Sequence, residues 1–139
     1  MRKSSHVQYD LEYHIVWTTK YRYRVLKNGV AERVRELIRQ SCNSMDVRIL
    51  KGSVGYEHIH LLVSVPPSLS ISKLVQQLKG KTARVLLNEY KDLRKRYWRQ
   101  HLWASGYFCR TVGSVTRDVI KDYIENQSDE YEETFKIVG

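Results

Sequence analysis

No uninterrupted apolar stretch in the 139 residues runs beyond a few positions, far short of the ~20 needed to span a bilayer. The opening MRKSSHVQYD is basic with no apolar segment behind it, so a secretory signal is not expected. Cysteine is scarce, Cys42 and Cys109 being the only two. Isolated thiols make neither a disulfide framework nor a four-thiolate zinc site, and reduced core thiols in a cytoplasm are expected. A glycine-rich phosphate loop of the Walker type, a linker, an internal repeat and a low-complexity segment are all missing. Acidic residues are outnumbered, 15 Asp plus Glu against 24 Lys plus Arg, which leaves a net charge of +9 and a pI near 9.6. That excess favours a polyanionic partner, nucleic acid first; a basic surface kept for solubility is the plainer alternative. Length and an apolar content of 42% suit one domain, 1–139, with a single core.

The charge is uneven. Lys79, Lys81, Arg84, Lys91, Arg94, Lys95, Arg96 and Arg99 fall in one stretch, interleaved with Tyr90, Tyr97 and Trp98. Cations in such a stretch follow a phosphate backbone while rings stack on exposed bases. The acidic SDEYEETF near the C-terminus points the nucleic-acid surface elsewhere.

VQYDLEYHIVWT alternates, with Val7, Tyr9, Leu11, Tyr13, Ile15 and Trp17 on one face and Gln8, Asp10, Glu12 and His14 on the other. It predicts one long first strand, Val7 to Thr18. Val30, Val34, Leu37, Ile38 and Cys42 recur at helical spacing and predict a helix from about Val30 to Ser44. DVRILKGSVG predicts a second strand and YEHIHLLVSV a third, ended by Pro66 and Pro67. A long helix is expected from Ser70 or Ser72, either of which can cap it. Gly80, between two lysines in LKGKTAR, interrupts that helix at a cost of about 1 kcal/mol against alanine. Close approach of a phosphate backbone, or a packing contact, would explain it. HLWASGYFCRTVG predicts a fourth and even a fifth strand with a turn at Ser105–Gly106, and Thr116 can cap a last helix. The order β-α-β-β-α-β plus a helix predicts an α+β fold of ferredoxin-like or RRM-like type, an antiparallel sheet backed by helices.

Residues two apart on a strand share a face, with Cα atoms roughly 6.5–7 Å apart. His58 and His60 therefore point the same way as Leu62 and Ser64, opposite the core-like Ile59, Leu61, Val63 and Val65. Two imidazoles so placed can converge on one metal ion; ordinary hydrogen-bonded histidines on a half-exposed strand are the alternative. On the last helix, Tyr123 and Gln127 stand at i and i+4, on one helix face. They offer a phenolic oxygen and an amide carbonyl, the latter a hard donor suited to Mg²⁺ or Mn²⁺.

His-x-His on a central strand, then LKGKTAR, then YFCRTVG, then Tyr-x-x-x-Gln on the last helix resembles the HUH single-tyrosine transposases of the TnpA type. These are the enzymes of the smallest bacterial insertion sequences, and they act on single-stranded DNA. The resemblance runs from YHIVWTTKYRYRVL to YIENQ. It implies His58 and His60 as metal ligands, Gln127 as the third ligand and Tyr123 as the nucleophile, carried on a C-terminal helix. It also implies a divalent cofactor, Mg²⁺ or Mn²⁺, a 5′-phosphotyrosine intermediate, recognition of subterminal DNA hairpins and a homodimer with shared active sites. Gln127 and Tyr131 stand four and eight residues beyond Tyr123, which favours the single-tyrosine class over two-tyrosine relatives. Lys79, Lys81, Arg84 and Arg110 are the candidate DNA contacts. Glu57 sits beside the pair, but strand alternation points it away from His58. Val7–Thr18 is expected to form an exposed edge that pairs across the dimer axis, and Gly113 a joint before the tyrosine helix.

Rival readings are a domesticated nuclease of repeated palindromes, a non-catalytic single-stranded nucleic-acid-binding module and a metal nuclease or cupin. The binding module leaves His58, His60, Tyr123 and Gln127 unexplained together. Two long helical patterns argue against a cupin.

Overall fold

The structure is a computed structural model that describes residues 2–3, 6–98, 101–113, 121–124 and 135–138. Gln127, the proposed cap Thr116 and the acidic stretch before Phe135 lie outside the described residues.

Two strands, β1 (Arg2–Lys3) and β2 (Gln8–Tyr9), form a small antiparallel ribbon. The main sheet contains β3 (Glu12–Thr18), β4 (Arg48–Val54), β5 (His58–Ser64), β6 (Phe108–Thr111) and β7 (Phe135–Ile137), in the order β6-β3-β5-β4-β7. The helices are α1 (Asn28–Ser44), α2 (Ile71–Glu89) and α3 (Lys91–Arg96), and a 3₁₀ turn spans Lys20–Arg22. The four strands of the β-α-β-β-α-β unit pair antiparallel, as the ferredoxin-like expectation requires. Edge strand β7 adds to β4 in parallel, so the sheet is mixed rather than wholly antiparallel.

Both long helices form where the apolar periodicity places them. On α1, Ala31, Val34, Leu37, Ile38 and Cys42 are buried; on α2, Leu74, Val75, Leu78 and Leu86 are. Ser70 caps α2, its Oγ accepting the Lys73 amide at 3.1 Å, which satisfies one of the otherwise orphaned donors of the first turn. The helices cover one sheet face, where Ile15, Trp17, Ile59, Leu61 and Val63 join the helix stripes in the main core. Gly106 turns the chain in the left-handed region (φ 81°), as the expected Ser105–Gly106 turn needs. Within HLWASGYFCRTVG there is a single strand, β6, after that turn; before it, Trp103 makes only an isolated bridge to Thr19. No helix among the described residues is long and apolar enough to cross a membrane.

Two expectations about the first strand are corrected. It is broken at Asp10–Leu11 into β2 and β3, and Val7 is exposed. The Arg2 guanidinium reaches from the ribbon to the Ser64 carbonyl (2.9 Å) and to Asp46, so residues 8–9 pair with 2–3 instead of extending the main sheet. Nor is β3 an edge. It is hydrogen-bonded on both sides, to β5 and β6, because the two crossovers place the first and third strands of the unit at the sheet centre. The edges are β6 and β7.

Candidate active site

The sheet face away from α1 and α2 carries the histidines. Register fixes which side chains share it, because directly paired residues point to one side. His60 pairs with Val16 and Ser53, Leu62 with His14, His58 with Thr18, and His14 in turn with Arg110. His14, His58, His60 and Arg110 therefore lie on one face.

Distances tighten that grouping. The rings of His58 and His60 are 4.6 Å apart between centroids, edge to face, and His14 stacks on His60 at 5.5 Å. His14 Nε2 and His60 Nδ1 are 3.4 Å apart. Burial, with His58 and His14 as like-charged neighbours, pushes His60 down to about 4. Burial and the nearby Arg110 guanidinium hold His14 below the usual imidazole range. His60 is thus neutral near pH 7, the protonation state in which an imidazole binds a metal.

His58 is held from two sides. Its Nδ1 meets the Glu57 carboxylate, and its ring lies flat on Gly55, where an added Cβ would fall 2.5 Å from Cε1 and 2.8 Å from Nε2. A carboxylate on Nδ1 fixes the tautomer that leaves Nε2 with its lone pair free. Nε2 of His58 is buried and has no hydrogen-bond partner among the described residues. Leaving a buried polar atom unpaired costs roughly 1–3 kcal/mol, which an incoming electrophile would relieve. Glu57 itself corrects the sequence expectation. It precedes β5, in the turn rather than the strand, so alternation does not govern where it points.

The other half of the site reaches the same face. Residues 121–124 are helical, and Ile124 is buried against Leu62, with Leu50 and Val112 around them. That small second core seats the segment on the histidine side. Tyr123, 55% exposed, has its ring centroid 6.0 Å from that of His60. The chain's own tyrosine thus stands beside its own histidines.

The donor set suits a divalent ion: imidazoles on one face, His60 neutral near pH 7 and His58 with an unpartnered buried nitrogen. Among the described residues no three His, Cys, Asp or Glu side chains form a metal cluster. Gln127 is an amide and lies outside them.

The four candidate DNA contacts are not brought together. Arg110 is exposed on the histidine face, whereas Lys79, Lys81 and Arg84 sit on α2, the layer behind the sheet. Lys79 Nζ donates to the Ala104 and Gly106 carbonyls (2.8 and 2.9 Å) and braces the turn before β6. Sequence reasoning missed His14 and Gly55. The strand alternation had already put His14 on the polar face of the first strand, but only register shows it beside His60.

Comparisons with known proteins agree with this architecture. The sequence matches the family described as "Transposase IS200 like" over residues 7–127. It is 36% identical over 129 residues to the ISDra2 transposase TnpA of Deinococcus radiodurans, covering 93% of this chain and 92% of that one. It is 35% identical over 126 residues to the transposase for insertion sequence element IS200 of Salmonella typhimurium, covering 91% and 82%. A crystal structure of a Deinococcus radiodurans protein described as a transposase superposes with a TM-score of 0.75 at 34% identity, over 94% of this chain and 100% of that one. A REP-associated tyrosine transposase bound to a REP hairpin shares the fold at a TM-score of 0.60 and 13% identity, over 88% and 69%.

Proposed function

The chain belongs to the IS200-like family of HUH tyrosine transposases and is a DNA transposase, and from that premise we propose that it cleaves and rejoins single-stranded DNA at element ends, recognising subterminal hairpins. The observation that carries this reading is the phenol of Tyr123 beside His60 on the histidine face. In the proposed reaction the Tyr123 Oη attacks the scissile phosphorus. An O–P bond forms to the tyrosine and the P–O3′ bond breaks. The phenolic proton passes to solvent, and the departing 3′ oxygen takes a proton to become a hydroxyl. Reverse attack by a 3′-hydroxyl releases Tyr123 and reseals a strand. The covalent bond conserves the phosphodiester energy, so no nucleotide triphosphate is consumed.

His58 and His60, with the Gln127 carbonyl, would hold a divalent ion, Mg²⁺ or Mn²⁺, which when bound polarises a phosphate oxygen and offsets its charge. Glu57 and Gly55 set the ring plane and tautomer of His58. His14 packs His60 in place, and Arg110 offers a guanidinium to phosphate on the same face. A free phenol has a pKa near 10, so nearby positive charge is needed to favour the tyrosinate. Hairpin recognition rests on the resemblance and is supported by the hairpin-bound relative of the same fold.

We infer further that residues 1–139 act as one domain and that the working unit is a homodimer. Strand β6 is an exposed sheet edge, and such edges invite pairing.

The test is covalent capture. Incubated with single-stranded element-end DNA and Mg²⁺ or Mn²⁺, the wild type should form a protein–DNA adduct stable in denaturant. Tyr123→Phe should form none while still binding the hairpin. His58→Ala and His60→Ala should form none at any metal concentration, and Gln127→Ala should be partly rescued by excess metal. An undiminished adduct from Tyr123→Phe, or full activity in chelator, would overturn the assignment. Hairpin binding with no adduct from the wild type would favour a non-catalytic binding module.

A further inference from the structure

Tyr123 chemistry makes no use of the aromatic, cationic end of the molecule. There the 3₁₀ turn Lys20–Arg22 packs against the end of α3. Tyr97, just past α3, donates its hydroxyl to the Lys20 carbonyl at 3.2 Å. Tyr23 lies between Tyr21 and Tyr97, with centroids 5.3 and 5.4 Å away, and the Arg96 guanidinium sits 4.0 Å over the Tyr23 ring. This pre-arranged cluster of tilted rings walls a cavity of about 280 Å³ lined by Lys20, Tyr21, Tyr23, Arg96, Trp98 and His101, among others. It is small beside the roughly 300–1,000 Å³ of ordinary ligand pockets, a size for one flat ring system.

Two features are hard to attribute to folding. Trp98 is 84% exposed and Tyr21 68%, more than any other large hydrophobic side chain among the described residues. Both are also in the left-handed backbone region, as is Arg22, with φ of 54°, 61° and 53°. The other non-glycine residues there are Asn28 and Asp46, types that tolerate this conformation, whereas bulky side chains rarely adopt it. Strain held at exposed aromatic residues is characteristic of binding sites. The surroundings are basic: Lys20, Arg22, Lys95 and Arg96 outnumber the single acid, Asp92, on these two short elements and their flanks.

The cavity adjoins both the site and a second groove. Thr18 pairs with His58, and the next amide, Thr19 N–H, donates to the Glu57 carbonyl at 2.8 Å. Lys20 follows directly. A groove of about 530 Å³ shares Lys20 and His101 with the cavity and runs along α2 past Gly80. Nothing lies within 4 Å of where a Gly80 Cβ would stand, so intramolecular packing does not explain this glycine. Close approach of a phosphate backbone would explain it.

We propose that this end is a stacking platform for an unpaired base of single-stranded DNA. Trp98 and Tyr21 take the base, Lys20 and Arg96 take the adjacent phosphate, and the strand continues along Gly80. The inference rests on the single-stranded DNA reading above, but it concerns a site separate from the Tyr123 chemistry.

Oligothymidylate, which forms no hairpin, is the probe, titrated into the full chain. Trp17 and Trp103 are buried, so ring stacking should quench chiefly Trp98 emission. Removing one base–aromatic stack should weaken binding about 5- to 150-fold. Trp98→Ala should show that loss by anisotropy of labelled oligonucleotide, Tyr21→Ala a smaller one, and Trp98→Phe should recover most of the affinity. All three should keep the wild-type circular dichroism. Unchanged affinity in Trp98→Ala, or no quenching of the wild type at saturation, would overturn the platform. If the wild type still forms the Tyr123 adduct in that case, only the platform fails. If it neither binds single strands nor forms an adduct, the transposase reading fails with it.

Discussion

Gly55→Ala is the substitution whose effect the geometry specifies most closely. A methyl group built on Gly55 would stand 2.5 Å from His58 Cε1, 2.8 Å from Nε2 and 2.9 Å from Nδ1, all below the 3.0 Å under which something must shift. The backbone is poorly placed to yield. Gly55 N–H donates to the His58 carbonyl (2.9 Å), the Tyr56 carbonyl accepts from Leu26 (3.0 Å) and the Glu57 carbonyl from Thr19 (2.8 Å). The imidazole must therefore move by about 0.9 Å to regain ordinary contact, which begins at 3.4 Å. That shift disturbs both its contact with the Glu57 carboxylate and its packing on His60. Overpacking of this kind costs roughly 1–3 kcal/mol, and each kcal/mol lowers the melting temperature by about 3–5 °C for a domain of this size. The chemical effect should be larger, since a displacement near 1 Å in a catalytic constellation costs about 100-fold. Gly55→Ala should therefore fold and melt about 3–15 °C low, yet form the Tyr123 adduct about two orders of magnitude more slowly, with weakened Mn²⁺ binding by calorimetry. Wild-type adduct rates in a folded Gly55→Ala protein would refute the idea that this glycine seats the His58 ring.

Glu57→Ala should leave the fold intact and lower Mn²⁺ affinity about 10- to 100-fold, the usual effect of losing a carboxylate behind a ligating histidine; an unchanged dissociation constant would remove Glu57 from the site. Gly80→Ala, in a helix and with open space around the new methyl, should raise stability by up to about 1 kcal/mol in a denaturant titration while weakening single-stranded DNA binding. Gain of stability with no loss of binding would leave this glycine without a nucleic-acid role. Mixing a His58→Ala/His60→Ala subunit with a Tyr123→Phe subunit should restore one working site per heterodimer if the tyrosine segment is exchanged; each tagged heterodimer would stay inactive in the adduct assay if every site keeps the intrachain Tyr123–His60 arrangement.

Local pattern was enough to locate most of the framework. The alternation of HIHLLVS gave the correct two faces of β5, and the helical spacing of Val34, Leu37, Ile38 and Cys42 found α1 to within two residues of its start. The cap was legible as Ser70 or Ser72 because capping is decided within one turn, and Ser70 is the one used. Long-range pairing was not legible. Strand β7 is only three residues, FKI, and pairs with β4 from more than eighty positions away, with no periodicity of its own to announce it. The first strand looked like an edge because sequence shows its alternation but not its neighbours; the sheet order puts β5 and β6 on either side of it.

The same division separates what could and could not be read in the site. Spacing alone puts His58 and His60 on one strand face and Tyr123 on one helix face with Gln127, because each pairing is a property of one strand or one helix. The resemblance of the ordered set gives them their roles. His14, Gly55 and Glu57 depend on how elements meet, and all three act through the β4–β5 turn or across the β3–β5 register. That turn explains why the histidine pair needs more than two histidines. Its backbone is pinned to the β3 end by Thr19 and to the chain just before α1 by Leu26, and the Tyr56 ring lies under the Arg24 guanidinium at 4.5 Å. The turn in turn presents Glu57 to one edge of the His58 ring and Gly55 to its flat side. An imidazole gripped at its edge and its flat side loses little freedom on binding a metal or phosphate, which is the preorganisation a phosphoryl-transfer site requires. Because Thr19 leads directly into Lys20, the same hydrogen bond that steadies Glu57 also fixes where the aromatic platform begins. A strand stacked on Trp98 would thus be held in register with the histidines by a rigid turn rather than by a flexible loop.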